Sequence, residues 1–125
     1  MSWYPLPEVI EAEVFTRVPD SFRKPGQRST WADTNRQGAP VECFIEGPSF
    51  DRAGNLYFTD IPWGRVFRAA PDGTVDLVAE YDGEPNGLRI HKDGRILITD
   101  SKHGIMELHA DTGRVTDHCL SLIHI

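Results

Sequence analysis

The feature that most constrains this chain is a repeat of about 40 residues in its second half. When residues 46–77 are laid over residues 86–117 without a gap, eight of 32 positions are identical. Average residue usage gives about two identities by chance. The identical pairs are Gly47/Gly87, Gly54/Gly94, Thr59/Thr99, Asp60/Asp100, Gly64/Gly104, Ala70/Ala110, Gly73/Gly113 and Val75/Val115. A repeat of this length is typical of propeller and helical-repeat proteins.

The composition within the repeat favours strands. Short apolar segments are separated by turn sequences that contain Asp and Gly, such as residues 51–54 and 111–113, and Gly readily takes the positive φ of a tight hairpin turn. No segment is long enough for the helices of a helical repeat. We therefore predict four strands in each copy, at residues 46–50, 55–60, 65–70 and 74–81 and at residues 86–91, 95–100, 104–109 and 114–119.

The apolar pattern predicts an all-β fold of the β-propeller type. The second strand of each copy is continuously apolar, at residues 56–58 and 96–98, so both of its faces need cover. The outer strand near residues 75–78 is closer to alternating and could face water on one side. We interpret residues 46–85 and 86–119 as two four-stranded blades. Because propellers use about 4–8 blades, we interpret the chain as a fragment of a longer protein.

Two segments lie outside the repeat. In residues 1–45 we expect one N-terminal strand, at residues 8–18, and a long Pro- and Gly-containing loop over residues 19–40. Residues 120–125 break the repeat without turn chemistry. We interpret them as a non-native tail, similar to translated read-through of a sequencing adapter, although a genuine outer strand is the alternative.

Composition limits the protein classes. The chain has 125 residues, enough for one ordinary domain, and a formal net charge of −6. This sign argues against nucleic-acid and anionic-membrane partners, which need clustered Lys and Arg. The two cysteines, Cys43 and Cys119, have no metal-binding spacing. With neither a signal peptide nor a membrane span in the sequence, we expect a cytoplasmic protein.

Hairpin parity places a candidate site at one end of the blades. In a four-stranded meander, Glu46 and Asn86, at the start of the innermost strands, share an end with residues 60–63 and 100–103. The repeat aligns Glu46 with Asn86, and Trp63 with His103. Unlike polar residues at equivalent positions near an axis are typical of a site carried on a repeated scaffold.

Each of these residues also has a structural interpretation. Asn86 lies in a Pro-Asn-Gly turn sequence and could simply shape the loop. Trp63 could cover the end of a blade, and His103 could be merely exposed. The aspartates that follow Thr in both copies, Asp60 and Asp100, favour a structural task, because a catalytic group would not need to be repeated.

Two segments resemble a known family. The sequence Phe44-Ile-Glu-Gly-Pro-Ser-Phe-Asp-Arg-Ala-Gly-Asn-Leu-Tyr-Phe-Thr-Asp-Ile-Pro62, followed by Glu84-Pro-Asn-Gly-Leu88, resembles the start of gluconolactonases. This family includes senescence marker protein (regucalcin) and the luciferin-regenerating enzyme, and the resemblance runs from about residue 8 to residue 117. It implies a six-bladed propeller with one divalent cation (Ca²⁺, Zn²⁺, Mn²⁺ or Mg²⁺) at the axis that hydrolyses sugar lactones or other small lactones.

The resemblance assigns roles to residues of this chain. It makes Glu46 the first metal ligand, and it suggests that Asn86 faces the substrate, with Trp63 and His103 as further candidates for substrate contact. The other ligands of the family, an Asn and an Asp, belong to later blades, so we expect the chain alone to be inactive and the full-length protein to be a monomer or dimer. The catalytic residues stay unassigned. The alternative is a non-catalytic propeller that binds a small ligand or a protein.

Overall fold

The computed structural model describes residues 3–119 and contains two four-stranded antiparallel sheets. In each sheet the strands follow one another in chain order. The first sheet consists of β1 (Ile45–Phe50), β2 (Leu56–Asp60), β3 (Arg65–Ala69) and β4 (Val75–Glu80). The second consists of β5 (Pro85–Ile90), β6 (Ile96–Asp100), β7 (Gly104–His109) and β8 (Arg114–Cys119). The all-β prediction is confirmed, and each predicted strand end lies within one residue of the observed one.

The segment before the sheets differs from its prediction. Residues 8–18, where a strand is predicted, have no regular secondary structure, and no strand of residues 3–119 pairs with them. The predicted loop at residues 19–40 contains a 3₁₀ turn (Asp20–Phe22) and a helix, α1 (Thr30–Asn35). The Ser29 side chain caps α1 by accepting a hydrogen bond from the Ala32 N–H at 3.1 Å. The predicted tail, residues 120–125, lies outside the described residues.

The two sheets pack face to face. We call the side of the first sheet that meets the second sheet its forward face, and the other side its rear face; the same terms apply to the equivalent sides of the second sheet. The forward face of the first sheet carries Tyr57, Thr59, Val66 and Ala79. The rear face of the second sheet carries Leu88, Ile96, Ile98, Met106 and Leu108. The apolar members of both sets form one buried cluster, so burial of apolar area holds the sheets together.

The rear face of the first sheet is covered in part by the N-terminal segment. Val18, Phe22 and Cys43 pack against its apolar side chains, which include Phe58 and Phe67. The ring of Phe67 lies 5.3 Å from that of Phe22, centroid to centroid. The segment is therefore attached by apolar contact, although it has no strand partner.

No helix within residues 3–119 is both long and apolar enough to cross a membrane.

A buried ion pair joins β2, β3 and the N-terminal segment. The side chain of Asp60 is fully buried, and its Oδ2 accepts hydrogen bonds from Arg65 Nη2 at 2.6 Å and Nε at 3.0 Å. Asp60 Oδ1 accepts from the Phe44 N–H at 2.7 Å, and Arg65 Nη1 donates to the Phe22 carbonyl at 2.6 Å. Burial raises the pKa of Asp60, whereas the hydrogen bonds from Phe44 and Arg65 lower it.

Removing the cation of this pair should destabilise the protein strongly. We expect Arg65→Met to lower the free energy of unfolding by about 3–5 kcal/mol at neutral pH, because it leaves a buried carboxylate unpaired. The control Arg68→Met on the same strand removes a half-exposed pair with Asp76 and should cost less than about 1 kcal/mol. Urea unfolding followed by circular dichroism measures both, and equal losses in the two variants would contradict the prediction.

The loss in Arg65→Met should also depend on pH. Without the arginine, the pKa of Asp60 in the folded state rises further above its ordinary value of 3.8. The unfolded state then binds fewer protons than the folded state at intermediate pH, so the variant loses stability as the pH rises through this range. The difference from the wild type should shrink as the pH falls through 3.8 and below, where the carboxyl becomes protonated in the unfolded state as well. A pH-independent difference in unfolding free energy would contradict this.

Candidate functional site

The first strands of the two sheets lie side by side. A Cβ added to Gly47 of β1 would lie 2.7 Å from the Leu88 backbone nitrogen and 2.8 Å from the Asn86 carbonyl oxygen of β5. Gly47 also has a φ of +59°, which side chains rarely adopt. The glycine thus permits both the turn of the backbone and the close approach of β1 to β5.

A single threonine contacts the backbone of both candidate residues. The Thr59 hydroxyl lies 3.1 Å from the Glu46 carbonyl oxygen and 2.9 Å from the Asn86 carbonyl oxygen. Its one proton can be donated to either carbonyl. The fully buried Thr59 therefore holds the starts of β1 and β5 next to each other, and hairpin parity correctly placed Glu46 and Asn86 at the same end of the sheets.

The side chains of Glu46 and Asn86 are both exposed. Within residues 3–119, neither side chain has a hydrogen-bond or ion-pair partner. Glu46 lines two open grooves, one of about 510 Å³ and one of about 600 Å³, and Asn86 lines the second. The first groove has mainly apolar walls, including Phe15, Ile45 and Phe58, whereas the second also contains polar groups. A carboxylate and an amide are thus free to meet a ligand at this end.

A buried aspartate accepts a backbone hydrogen bond next to the start of each of the two strands. Asp100 Oδ2 accepts hydrogen bonds from the Glu84 N–H at 2.9 Å and the Tyr81 hydroxyl at 2.7 Å. Asp100 Oδ1 accepts from the Lys102 and His103 N–H groups. The Glu84 bond corresponds to the Phe44 bond of Asp60, which is 40 residues earlier. The structural interpretation of the repeated aspartates is confirmed.

The candidate Trp63 contacts the N-terminal segment. It ends a 3₁₀ turn (Ile61–Trp63) after β2, and its indole N–H donates to the Glu42 carbonyl at 3.1 Å. The ammonium group of Lys24 lies 5.0 Å from the ring centroid, within the range of a cation–π interaction. The ring therefore fastens residues 24–42 to the end of the first sheet.

The candidate His103 contacts the connection between the sheets. Its Nε2 lies within hydrogen-bond distance of the Asp82 carbonyl, which requires that Nε2 carry the proton. Its backbone N–H donates to Asp100 Oδ1 at 3.1 Å. The imidazole thus closes the loop after β6 onto the segment that leads into β5.

The loops that contain Trp63 and His103 differ in length, so the repeat pairs Gly64 with Gly104 incorrectly. Asp60 pairs with Arg65 across the β2–β3 ladder after four intervening residues, whereas Asp100 pairs with Gly104 after three. The shorter loop gives Gly104 the ladder position of Arg65, so the gapless repeat breaks at this loop. The second copy has no arginine at that position, and the Tyr81 hydroxyl serves Asp100 instead.

Sequence reasoning missed Tyr81 and Arg65 as partners of the repeated aspartates. Burial raises the pKa of the Tyr81 hydroxyl, and the neighbouring Asp100 carboxylate acts in the same direction, so the hydroxyl remains a donor. A signal for them was present in the sequence, because an aspartate that follows an apolar strand is expected to be buried and then needs hydrogen-bond donors. A search for nearby donor side chains could have found Tyr81 and Arg65.

Cys43 is not an activated nucleophile. Cys43 forms no disulfide bond, and burial raises the pKa of its thiol, with the negative charge of Asp60 acting in the same direction. A reactive cysteine needs a lowered thiol pKa.

The oxygen donors at the strand starts fit part of a hard-cation site. Ca²⁺ takes about six to eight oxygen ligands, among which carboxylates and amide carbonyls are common. Glu46 and Asn86 offer one of each. Within residues 3–119, no group of three or more His, Cys, Asp or Glu side chains could hold a metal ion. The described residues therefore supply donors of the right chemistry, but not a complete ligand set.

The sequence of this chain is similar to those of known lactonases. The lactonase drp35 of Staphylococcus saprophyticus is 32% identical over 94 residues, which cover 70% of this chain and 28% of that protein. The lactonase drp35 of Staphylococcus aureus strain MRSA252 is 31% identical over 71 residues, 54% of this chain and 20% of that protein. No protein-family model matches the chain.

These similarities relate the chain to lactonases, and they do not distinguish the regucalcin branch of the gluconolactonases. The aligned part spans less than a third of the length of these curated relatives.

Close approach of β1 to β5 should make Gly47 intolerant of a side chain. Gly47→Ala should lower the melting temperature more than the control Gly94→Ala, whose φ is also positive, at +92°, but whose added Cβ would meet nothing within 4 Å. The control carries only the strain of the left-handed conformation, about 1–2 kcal/mol. Differential scanning calorimetry compares the two, and a smaller loss in Gly47→Ala would show that the strands can separate freely.

The hydroxyl of Tyr81 should contribute to stability through Asp100. Tyr81→Phe removes one of four donors to a buried carboxylate, and we expect a loss of about 1.5–3 kcal/mol in unfolding free energy, as for hydrogen bonds to charged groups. Hydrogen exchange of the Lys102 and Glu84 amides should accelerate, because both donate to the same carboxylate. Unchanged exchange at these amides would contradict a shared network.

Proposed function

We infer that this chain forms part of a metal-dependent hydrolase of sugar lactones or other small lactones, built as a β-propeller longer than the described sheets. One observation carries the proposal: in a chain similar to lactonases over 70% of its length, the Glu46 carboxylate stands free where β1 and β5 meet. The length of the relatives leaves room for further sheets of the same repeat.

Glu46 acts in this proposal as one ligand of a divalent cation, and the remaining ligands come from parts of the protein outside the described sheets. A carboxylate surrounded by further sheets would be costly to desolvate without such a partner. A bound divalent cation polarises a lactone carbonyl and lowers the pKa of an attacking water.

Asn86 contacts the substrate in this proposal. Its exposed amide offers both a donor and an acceptor, which suits the ring oxygen and the hydroxyl or carbonyl groups of a lactone. The Thr59 hydroxyl contacts the backbone carbonyls of both Asn86 and Glu46, so the two residues lie next to each other. Trp63 and His103 have no direct role here, since their polar ring atoms bind Glu42 and Asp82.

The proposal is tested on the full-length product of the source gene. It should open gluconolactone or a related lactone, lose this activity with a chelator and regain it with added cation. Glu46→Gln should lower kcat/KM by about 100-fold or more, since even residues that only support metal ligands cost 10–100-fold. The 125-residue chain, assayed in parallel, should show no turnover because its ligand set is incomplete.

The matched control is Glu80→Gln. Glu80 is exposed, lies at the end of β4 and is 3.6 Å from the Lys24 ammonium group, so its charge is lost without touching the strand starts. The control should keep its kcat/KM within about twofold, as expected of a surface substitution away from the site. Turnover that resists the chelator and survives Glu46→Gln would overturn the metal-dependent mechanism.

A non-catalytic binding module is the second candidate. The observation that favours it is the lack of a cluster of three or more potential metal ligands within residues 3–119. In that case isothermal titration calorimetry would detect binding of a lactone or sugar acid that depends on Asn86 and not on added cation. No product would form.

A further inference from the structure

The first strand of each sheet carries a β-bulge at the end where the candidate site lies. In the β1–β2 ladder, Glu46 and Ser49 are three residues apart, whereas their partners on β2 are only two apart. In the β5–β6 ladder, Pro85 and Gly87 are two residues apart and their partners on β6 are adjacent, so Asn86 is the extra residue. A bulge bends its strand and redirects the side chains beside it, and bulges are common next to active sites. Both candidate residues thus lie where the backbone departs from the regular ladder.

One buried side chain contacts the backbone at both bulges. The extra residue of a bulge is left unpaired in its own ladder, and the carbonyl oxygen of Asn86 lies 2.9 Å from the Thr59 hydroxyl of the other sheet. The same hydroxyl lies 3.1 Å from the carbonyl oxygen of Glu46, the residue directly before the bulge of β1. Because Thr59 is fully buried, its hydroxyl needs a partner within the protein, and these two carbonyls provide it.

Glycine leaves room for this contact in both strands. A Cβ on Gly47 would lie 2.8 Å from the same Asn86 carbonyl oxygen that the hydroxyl contacts. A Cβ on Gly87 would lie 2.7 Å from the hydroxyl of Thr99, the threonine that corresponds to Thr59 in the second sheet. Thr99 accepts a hydrogen bond from the Gly87 N–H at 2.9 Å, so it too contacts the bulge of its own sheet. A threonine at this position therefore fits against the bulge in both sheets, and Thr59 also reaches the bulge of the neighbouring sheet.

We propose that Thr59 is a positioning residue of the lactonase site. Its hydroxyl sets the distance between the backbones of Glu46 and Asn86, and with it the distance between the carboxylate that holds the cation and the amide that contacts the lactone. Thr59 itself touches neither cation nor substrate, because its side chain is fully buried. The inference rests on the proposed function and adds the group that keeps the two parts of the site aligned. A misplacement of about 1 Å in such a site can lower the rate about 100-fold.

Two substitutions separate the hydroxyl of Thr59 from its packing. Thr59→Val keeps the shape of the side chain and removes the hydrogen-bond donor. Thr59→Ser keeps the hydroxyl and removes a buried methyl group, which lowers stability without removing the contact. The matched control is Thr16→Val, because Thr16 also donates to a backbone carbonyl, that of Gly73 at 2.7 Å, in the turn between β3 and β4 at the opposite end of the sheet. Circular dichroism confirms folding, and Thr59→Cys, whose thiol is only a weak donor, replaces Thr59→Val if the latter unfolds.

The measurements are made on the full-length product of the source gene, well below its melting temperature. Isothermal titration calorimetry of the metal-free protein with Ca²⁺ and, separately, with Mn²⁺ gives the cation affinity, and steady-state kinetics at saturating cation gives kcat and KM for gluconolactone. We expect Thr59→Val to weaken cation binding and to lower kcat, each by about tenfold or more, as for residues that support metal ligands. Thr59→Ser should stay within about threefold of the wild type in both quantities because the donor remains, although it should melt at a lower temperature. Thr16→Val should stay within about twofold.

The outcomes distinguish this inference from the proposed function. If the wild type is active, unchanged cation affinity and kcat in Thr59→Val would overturn the positioning role and leave the lactonase proposal intact. An equal loss in Thr59→Ser or in Thr16→Val would assign the effect to packing or to general stability, and would overturn the positioning role as well. A wild type that neither binds a cation nor opens the lactone would instead overturn the proposed function, and the positioning role with it.

Discussion

A buried aspartate at the end of the second strand of each sheet determines where the first strand of that sheet begins. Asp60 binds the Phe44 N–H, and Asp100 binds the Glu84 N–H, in each case two residues before a candidate site residue. The two carboxylates are satisfied differently elsewhere, by Arg65 in one sheet and by the Tyr81 hydroxyl in the other. The hydrogen bond to the backbone N–H, which both sheets share, sets where the first strand begins. The hydrogen bonds from Arg65 and Tyr81, which differ between the sheets, attach the segment that precedes that strand.

Much of the fold could be predicted because the sequence repeat indicates two similar units. Strand positions follow from apolar runs and turn sequences, both of which are local signals. The one-residue difference between the loops after Asp60 and Asp100 could not be predicted, because Gly64 and Gly104 give an apparent identity at positions that differ in the ladder. Residues 8–18 carry a strand-like sequence, yet a strand also needs a partner, and no described strand pairs with this segment.

The candidate site could be predicted in part for the same reason. Hairpin parity is a property of the chain order, so it places Glu46 and Asn86 at one end without knowledge of packing. The contacts of Trp63 and His103 depend on Glu42 and Asp82, whose positions result from the path of irregular segments. The periodicity of the sheets does not constrain these segments. The sequence therefore could not decide whether Trp63 and His103 contact a substrate or have a structural role.

The direction in which the two sheets pack also determines where the candidate site lies. Because each sheet turns its forward face toward the next, the first strands β1 and β5 lie on the same side of the stack, where Gly47 lets them approach. Packing of like faces would not repeat in this way. Packing of unlike faces therefore places polar residues that differ between the sheets, such as Glu46 and Asn86, at the same end.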